Sequence, residues 1–164
     1  MSKTDRHKKD LVPLFAGLPD KLAEEKIIQY ILANSNLPGR RANLELAKAF
    51  AETIAEESSV HEPKTFWQFC YHLTEISIEE GPVNTPREFL PFCGTCGLGA
   101  IGAANLLFFS DALVRLRTLA TDARWRMREA VRMALQRLLT EQTSATQQKL
   151  EQWGEKTVGW CYEL

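Results

Sequence analysis

Two adjoining clusters in this chain have the residue types and spacing of chemical sites. Cys93-Gly94-Thr95-Cys96 is a C-x-x-C pair, the spacing of dithiol redox centres and of half a zinc shell. It runs directly into Gly97-Leu98-Gly99-Ala100-Ile101-Gly102, a G-x-G-x-x-G run that in the right setting turns backbone N–H groups toward a pyrophosphate. Neither setting is right. A dinucleotide loop requires a strand before the glycines and an acidic residue at the end of a second strand, about 20 residues on. Here Thr85-Pro86-Arg87-Glu88 is a helix start, and Asp122 stands between two helical segments. A thioredoxin-like site requires a βαβ context, and a zinc shell requires two further ligands. The candidates are Cys70 and His72, whose i, i+2 spacing on a helix points them to different faces. Cys93 and Cys96 therefore read as small buried hydrophobes. The three histidines, His7, His61 and His72, fall in a tail, in a loop and beside an apolar stripe, without the pattern of a general base. No H-E-x-x-H, G-x-S-x-G or phosphate-binding G-K-[ST] run is present. The sequence thus assigns no catalytic residue, metal or cofactor.

The elements around these clusters are helical. Leu22, Ala23, Ile27, Tyr30 and Ile31 form a stripe behind Asp20, which can cap, and Leu37-Pro38-Gly39 is a turn. A second helix over Ala42 to Glu57 places Leu44, Ala47, Phe50, Ala51 and Ile54 on one side. Phe66, Phe69, Cys70, Leu73 and Ile76 mark a third, opened by a Thr65/Gln68 capping box and stopped at Gly81-Pro82. Thr85, Pro86 and Glu88 carry the cap, first-position proline and box partner of a fourth. Ser110-Asp111 opens a fifth, and Asp122 ends the loop before a sixth that reaches Thr140. The first ten residues, with Lys3, Arg6, Lys8 and Lys9, lack apolar periodicity and read as a flexible basic tail, leaving 11–164 as one domain. The balance of 20 basic and 21 acidic side chains provides no global field for nucleic acid or an anionic membrane. Four free cysteines, no signal-like segment and no membrane-length apolar run predict a reduced, cytoplasmic protein.

An internal comparison gives the glycines a structural reading. Shifted by 37 residues, Leu90, Cys93, Cys96, Gly97, Leu98 and Ile101 fall on Met127, Ala130, Met133, Ala134, Leu135 and Leu138. Glycine within a helix costs about 1 kcal/mol relative to alanine, so Gly94, Gly97, Gly99 and Gly102 predict a flank on which another helix packs closely. The period is near the two-helix unit of HEAT and armadillo arrays, about 40–47 residues. Asp122-Ala-Arg-Trp-Arg-Met-Arg128, followed by Glu129-Ala130-Val131 and Ala134-Leu135, resembles the core of a HEAT repeat. The resemblance is good over 106–140, fair over 86–102 and generic before 82. It implies an all-α, right-handed α-solenoid of helical hairpins. It also implies a signature of Asp122, Trp125 and Arg128, in which the aspartate and the later arginine link repeats through hydrogen bonds. The earlier copy departs from it, with Thr85 and Pro91 at the places of that pair, which puts a continuous ladder in doubt.

In that fold the second helices line a concave face. With Met127, Val131, Ala134 and Leu138 in the core, Glu129, Arg132 and Gln136 fall opposite and Arg126 on the flank. The same shift brings Phe89 and Phe92 to the face, and aromatics beside arginines are enriched at binding hot spots. The expected function is a non-catalytic scaffold that binds a protein or peptide there, through Phe89, Phe92, Arg126, Glu129, Arg132 and Gln136. The alternative is a nucleic-acid-binding protein or an enzyme similar to the DNA-alkylation-repeat glycosylases. For that reading, residues 111–137 hold seven arginines against Asp111, Asp122 and Glu129, a net of +4. No membrane partner is expected. The C-terminal segment, with Leu150, Trp153, Val158, Trp160 and Tyr162, folds back on the last repeat, forms a homodimer surface, or belongs to one part of a longer array.

Overall fold

From Phe89 to Ala104 the chain has no charged side chain, and this segment forms the axis of the molecule. A helix that is apolar all round has no face for water and must be enclosed. In the computed structural model, which describes residues 1–162 and their side chains through residue 155, every residue from Phe89 to Ala103 is buried. Among the described residues there are eight α-helices and no strand. They are α1 (Lys3–Phe15), α2 (Lys21–Ala33), α3 (Leu44–Val60), α4 (Pro63–Thr74), α5 (Phe89–Ala104), α6 (Phe109–Leu119), α7 (Trp125–Glu141) and α8 (Thr143–Tyr162). The fold class is all-α. Short 3-10 turns, Pro86–Glu88 and Leu106–Phe108, lead into α5 and α6. Helix α5 packs against α3, α4, α6 and α7, α1 lies on α3, and α8 lies on α7. Among the described residues no helix is long and apolar enough to cross a membrane.

The glycines of α5 mark its closest contacts. A Cβ on Gly94 would stand 2.7 Å from the Cys70 carbonyl oxygen of α4, and one on Gly99 would stand 2.6 Å from Cβ of Ala134 on α7. Backbone-to-backbone approach of this kind offsets the helix penalty of glycine by tighter packing on both neighbours. Phe50, Phe15, Phe66 and Leu98 belong to a core shared by α1 to α5, while Leu113, Leu116, Met127 and Leu138 form a smaller one between α6 and α7.

The reading of residues 1–10 as a flexible tail is corrected. Helix α1 begins at Lys3, and Ser2 closes a capping box in which its hydroxyl accepts from the Asp5 N–H at 3.1 Å and its N–H donates to Asp5 Oδ2 at 3.0 Å. Leu11 and Phe15 are buried, Phe15 edge-on to Phe50 at 5.3 Å, so burial of two large side chains docks a helix that is otherwise charged. His7 belongs to this docking. Its Nδ1 lies 2.7 Å from Tyr30 Oη, and Tyr30 donates to Asp10 Oδ2 at 3.0 Å. Its Nε2 lies 3.3 Å from Asn43 Nδ2. Asn43 caps α3, with Oδ1 accepting from the Leu46 N–H and Nδ2 donating to the Asn34 carbonyl. These bonds fix the Asn43 amide, so Nε2 must accept and Nδ1 must carry the proton. Burial holds the imidazole below its ordinary pKa, with Asp10 and Glu45 opposing and Arg6 reinforcing.

Other local expectations also shift. Asp20 stands at the cap of α2 without a side-chain bond, and α4 starts two residues before Thr65, capped by Glu62. Glu88 does not close a box with Thr85. It accepts from the Asn84 N–H at 2.7 Å and from Arg126 Nη1 at 3.0 Å. Asn84, at φ 63°, is in the left-handed region that asparagine tolerates, and its Oδ1 accepts from the Gly39 N–H. In the C-terminal helix, Leu150 lies beside α7 and Trp153 packs on the α6–α7 core with Arg117 over its ring at 5.5 Å. The side chains of Val158, Trp160 and Tyr162 lie outside the described residues.

Candidate functional site

The six residues expected to share a binding face do not share one. Phe89 and Phe92 stack on each other at 5.2 Å and are 1% and 0% exposed. Helix α5 has neighbours on every side, which leaves these rings no route to solvent. Arg126 is buried as well, between Glu88 and the Gly39 carbonyl, to which its Nη2 donates at 2.9 Å. Under Trp125 at 4.4 Å, its guanidinium ties the 38–39 turn, the start of α5 and the start of α7 together. Glu129 is half-buried. Arg132 and Gln136 are exposed and joined to each other by a 3.3 Å bond.

The link expected of Asp122 and Arg128 is made by a different arginine. Asp122 binds Arg124 side by side, Nε to Oδ1 at 3.0 Å and Nη2 to Oδ2 at 2.8 Å. Arg124 also donates to the carbonyls of Ile76 (3.0 Å), Ser77 (3.3 Å) and Gly81 (3.1 Å), so all five of its N–H groups are used. It closes the turn after α4 onto the start of α7. These bonds hold the Asp122 carboxyl below its ordinary range, against the effect of burial. Arg128 reaches the Asp122 carbonyl, at 3.3 Å, and Trp125 is half exposed on the first turn of α7.

An open groove does exist where α3 and α7 flank α5. The two outer helices carry alanines one turn apart, Ala47 and Ala51 on α3 and Ala130 and Ala134 on α7, so neither fills the space above α5. The cleft measures about 620 Å³. Its floor is Ala47, Ala51, Cys96 and Ala134, with Met133 at the side, and its rim is Lys48, Glu52, Gln136, Arg137, Thr140 and Glu141. The rim charges are paired among themselves. Lys8 holds Glu56 at 2.6 Å and Glu52 at 3.5 Å, Lys48 approaches Glu52 at 4.0 Å, and Arg137 holds Glu141 at 3.0 Å. The Glu56 hydrogen bond raises Lys8 above its ordinary pKa.

The cysteine at the floor is chemically quiet. Burial pushes the Cys96 thiol up to about 12, with Glu129 adding to the shift and Arg137 opposing it. Cys70 and Cys93 are raised by the same loss of hydration. Thiols held protonated at neutral pH are poor nucleophiles, and Cys96 supplies packing to the floor of this groove while Cys93 is wholly buried. Among the described residues, no group of three His, Cys, Asp or Glu side chains is arranged to hold a metal ion.

Of the residues that line this groove, the sequence names Gln136 for a binding face and does not name Ala47, Ala51, Met133 or Thr140 for one. The small-residue spacing on α3 and α7 was the available signal, because alanines one turn apart leave a trough wherever two helices share a third as neighbour. Compared with protein-family models, with curated proteins and with solved structures, the chain matches none of them.

Proposed function

We propose that this chain is a non-catalytic scaffold that binds a short peptide segment of a partner protein in the groove between α3 and α7. The observation that carries the reading is the groove itself, a trough with an apolar floor of small residues and a rim whose charges are already neutralised by one another. Such a floor accepts apolar side chains without stranding a polar group, and a paired rim costs little to leave in water. The volume is within the range of about 300–1,000 Å³ usual for ligand sites. In this reading α3, α5 and α7 are the inner row of a right-handed HEAT-like solenoid and α1, α4 and α6 the outer row. Support comes from the succession of α3 on α5 and α5 on α7.

The arginine run gives little support to nucleic acid. Arg115 is bound to Thr74, Arg124 to Asp122 and three carbonyls, Arg126 to Glu88, and Arg137 to Glu141. Guanidinium groups held this way are not presented to phosphates. Selecting peptides from a displayed library on the full chain tests the proposal. Gln136→Trp and Thr140→Trp, both at exposed rim positions, fill the groove without touching the core. Each should weaken selected peptides by about tenfold or more at unchanged melting temperature. Binding that survives both substitutions removes the groove as the site.

A further inference from the structure

Helix α1 is fastened to the rest of the molecule in two unlike ways. Its C-terminal half is anchored by Leu11 and Phe15, the buried residues of the helix. Its N-terminal half meets α2 and α3 through polar groups, His7 with Tyr30 and Asn43, and Lys8 with Glu52 and Glu56. Pro13 has no N–H to give the Lys9 carbonyl, so the backbone ladder is interrupted between the two halves. Ion pairs at a surface contribute little by themselves, which makes the His7 contacts a large share of what holds the N-terminal half down.

Those contacts work in one protonation state. Nε2 accepts from Asn43 Nδ2 at 3.3 Å, and that amide is pinned, its Oδ1 holding the Leu46 N–H at 3.0 Å and its Nδ2 donating to the Asn34 carbonyl at 2.8 Å. A proton on Nε2 sets two donors face to face, and turning Asn43 over to meet it would surrender the cap of α3. The ring is faced by Arg6 and Asp10 on α1, Tyr30 on α2 and Glu45 in the first turn of α3. Burial, the largest influence, and Arg6 disfavour the charged ring, while Asp10 and Glu45 favour it. The next residue, Lys8, reaches the groove. It holds Glu56 at 2.6 Å and is the nearer of the two lysines beside Glu52, a rim residue between α3 and α7.

We infer that protonation of His7 lifts the N-terminal half of α1 from α3 and withdraws Lys8 from the rim, so that acid changes what the groove accepts. The effect on binding rests on the peptide-groove reading, and the movement does not. At neutral pH the ring accepts from Asn43 and the clasp is shut; as the pH falls through the titration of the ring, it opens. With Lys8 withdrawn, Glu52 keeps Lys48 at 4.0 Å, Glu56 loses the cation that held it, and the α3 rim turns acidic. Peptides with basic residues beside an apolar centre are then favoured over those with acidic ones.

The test follows the full chain by NMR, with labelled histidine rings, backbone amides and alanine methyls, from about pH 7.5 to about 5. As His7 titrates, protection of amides 7–10 against hydrogen exchange should fall about threefold or more while that of amides 14 and 15 holds. The Ala47 and Ala51 methyls at the groove floor should move with the same midpoint. His7→Gln offers Asn43 an acceptor and Tyr30 a donor at every pH and should abolish both changes. Lys8→Gln should carry the Ala51 methyl toward its acid position at neutral pH while His7 still titrates. A titration of His7 that leaves protection or the methyls unmoved, or changes that persist in His7→Gln, overturns the inference. Peptides selected for the groove and flanked by lysines should bind about threefold or more tighter at the lower pH, and not in His7→Gln. No such gain, with binding still weakened by Gln136→Trp, overturns the inference and leaves the groove reading intact. Peptides indifferent to Gln136→Trp and Thr140→Trp remove the groove reading, and the exchange and methyl results then decide the movement.

Discussion

Helices α5 and α7 occupy matching positions in the sequence, yet one is buried from Phe89 to Ala103 and the other divides its faces. The shift that sets Leu90 on Met127 also sets the buried Gly97 and Ile101 on the buried Ala134 and Leu138. It sets Thr95 and Gly99, also buried, on Arg132 and Gln136, which are exposed. The two helices bury the same side, and α5 buries its other side too because α7 itself stands there, with Ala134 against Gly99. Repetition in sequence therefore specifies the shared interface and says nothing about the opposite face. What lies on that face depends on whether another helix follows in space, and that is where surface for binding is gained or lost.

The largest effect that tests this contrast should come from the bridge between the two helix starts. Glu88→Ala leaves Arg126 charged and buried without its carboxylate, and should cost about 3–5 kcal/mol in urea unfolding. A loss below about 1 kcal/mol would mean that the bridge does not join α5 to α7. Next comes the arginine that fastens the start of α7 to the turn after α4. Arg124→Lys cannot supply five donors in a planar fork and should cost about 2–3 kcal/mol, whereas Arg128→Lys should fall within about 0.5 kcal/mol. Equal costs would restore Asp122 and Arg128 as the linking pair.

Gly99 and Gln136 give the most direct comparison, being the same register position on the two helices. Gly99→Ala pushes a methyl into Ala134 and should cost about 1–3 kcal/mol despite the better helix propensity of alanine. Gln136→Ala should change stability by no more than about 0.5 kcal/mol. If both are neutral, α5 is not closed on its α7 side. The smallest effect belongs to α1, which rests on α3. Because the folded state holds His7 below its ordinary value of 6.5, its contribution is present above that pH and is lost as the pH falls through the lower, folded value. The urea midpoint of the wild type should drop more on acidification than that of His7→Gln, and equal drops would remove His7 as the cause.

Much of the fold was legible and the face was not, for reasons visible in particular residues. The stripe of Leu22, Ala23, Ile27 and Ile31 and the turn at Leu37-Pro38-Gly39 are local signals, and local signals set helix positions. The fate of Phe89 and Phe92 is a tertiary question. Its one local trace is the uncharged run from Phe89 to Ala104, which marks a helix enclosed on all sides rather than a row of exposed aromatics. Helix α1 was hidden by its charges, although Ser2-Lys3-Thr4-Asp5 has the form of a capping box and Leu11 and Phe15 stand one turn apart. Arg124 was missed because the familiar spacing pointed to Arg128, and reaching the carbonyls of Ile76, Ser77 and Gly81 requires knowing where the preceding turn ends.

The three buried thiols also make the molecule its own stopwatch. Cys70 and Cys93 are 0% exposed and Cys96 is 3% exposed, on two helices that meet at the centre. A thiol reagent reaches Cys70 and Cys93 only when α4 or a neighbour swings away from α5, whereas Cys96 faces the groove, so in a Cys161→Ser background the labelling rate of the first two counts openings of the core. Ligands that close the groove above Cys96 should slow that residue first, and the order in which the other two react would reveal which helix leaves first.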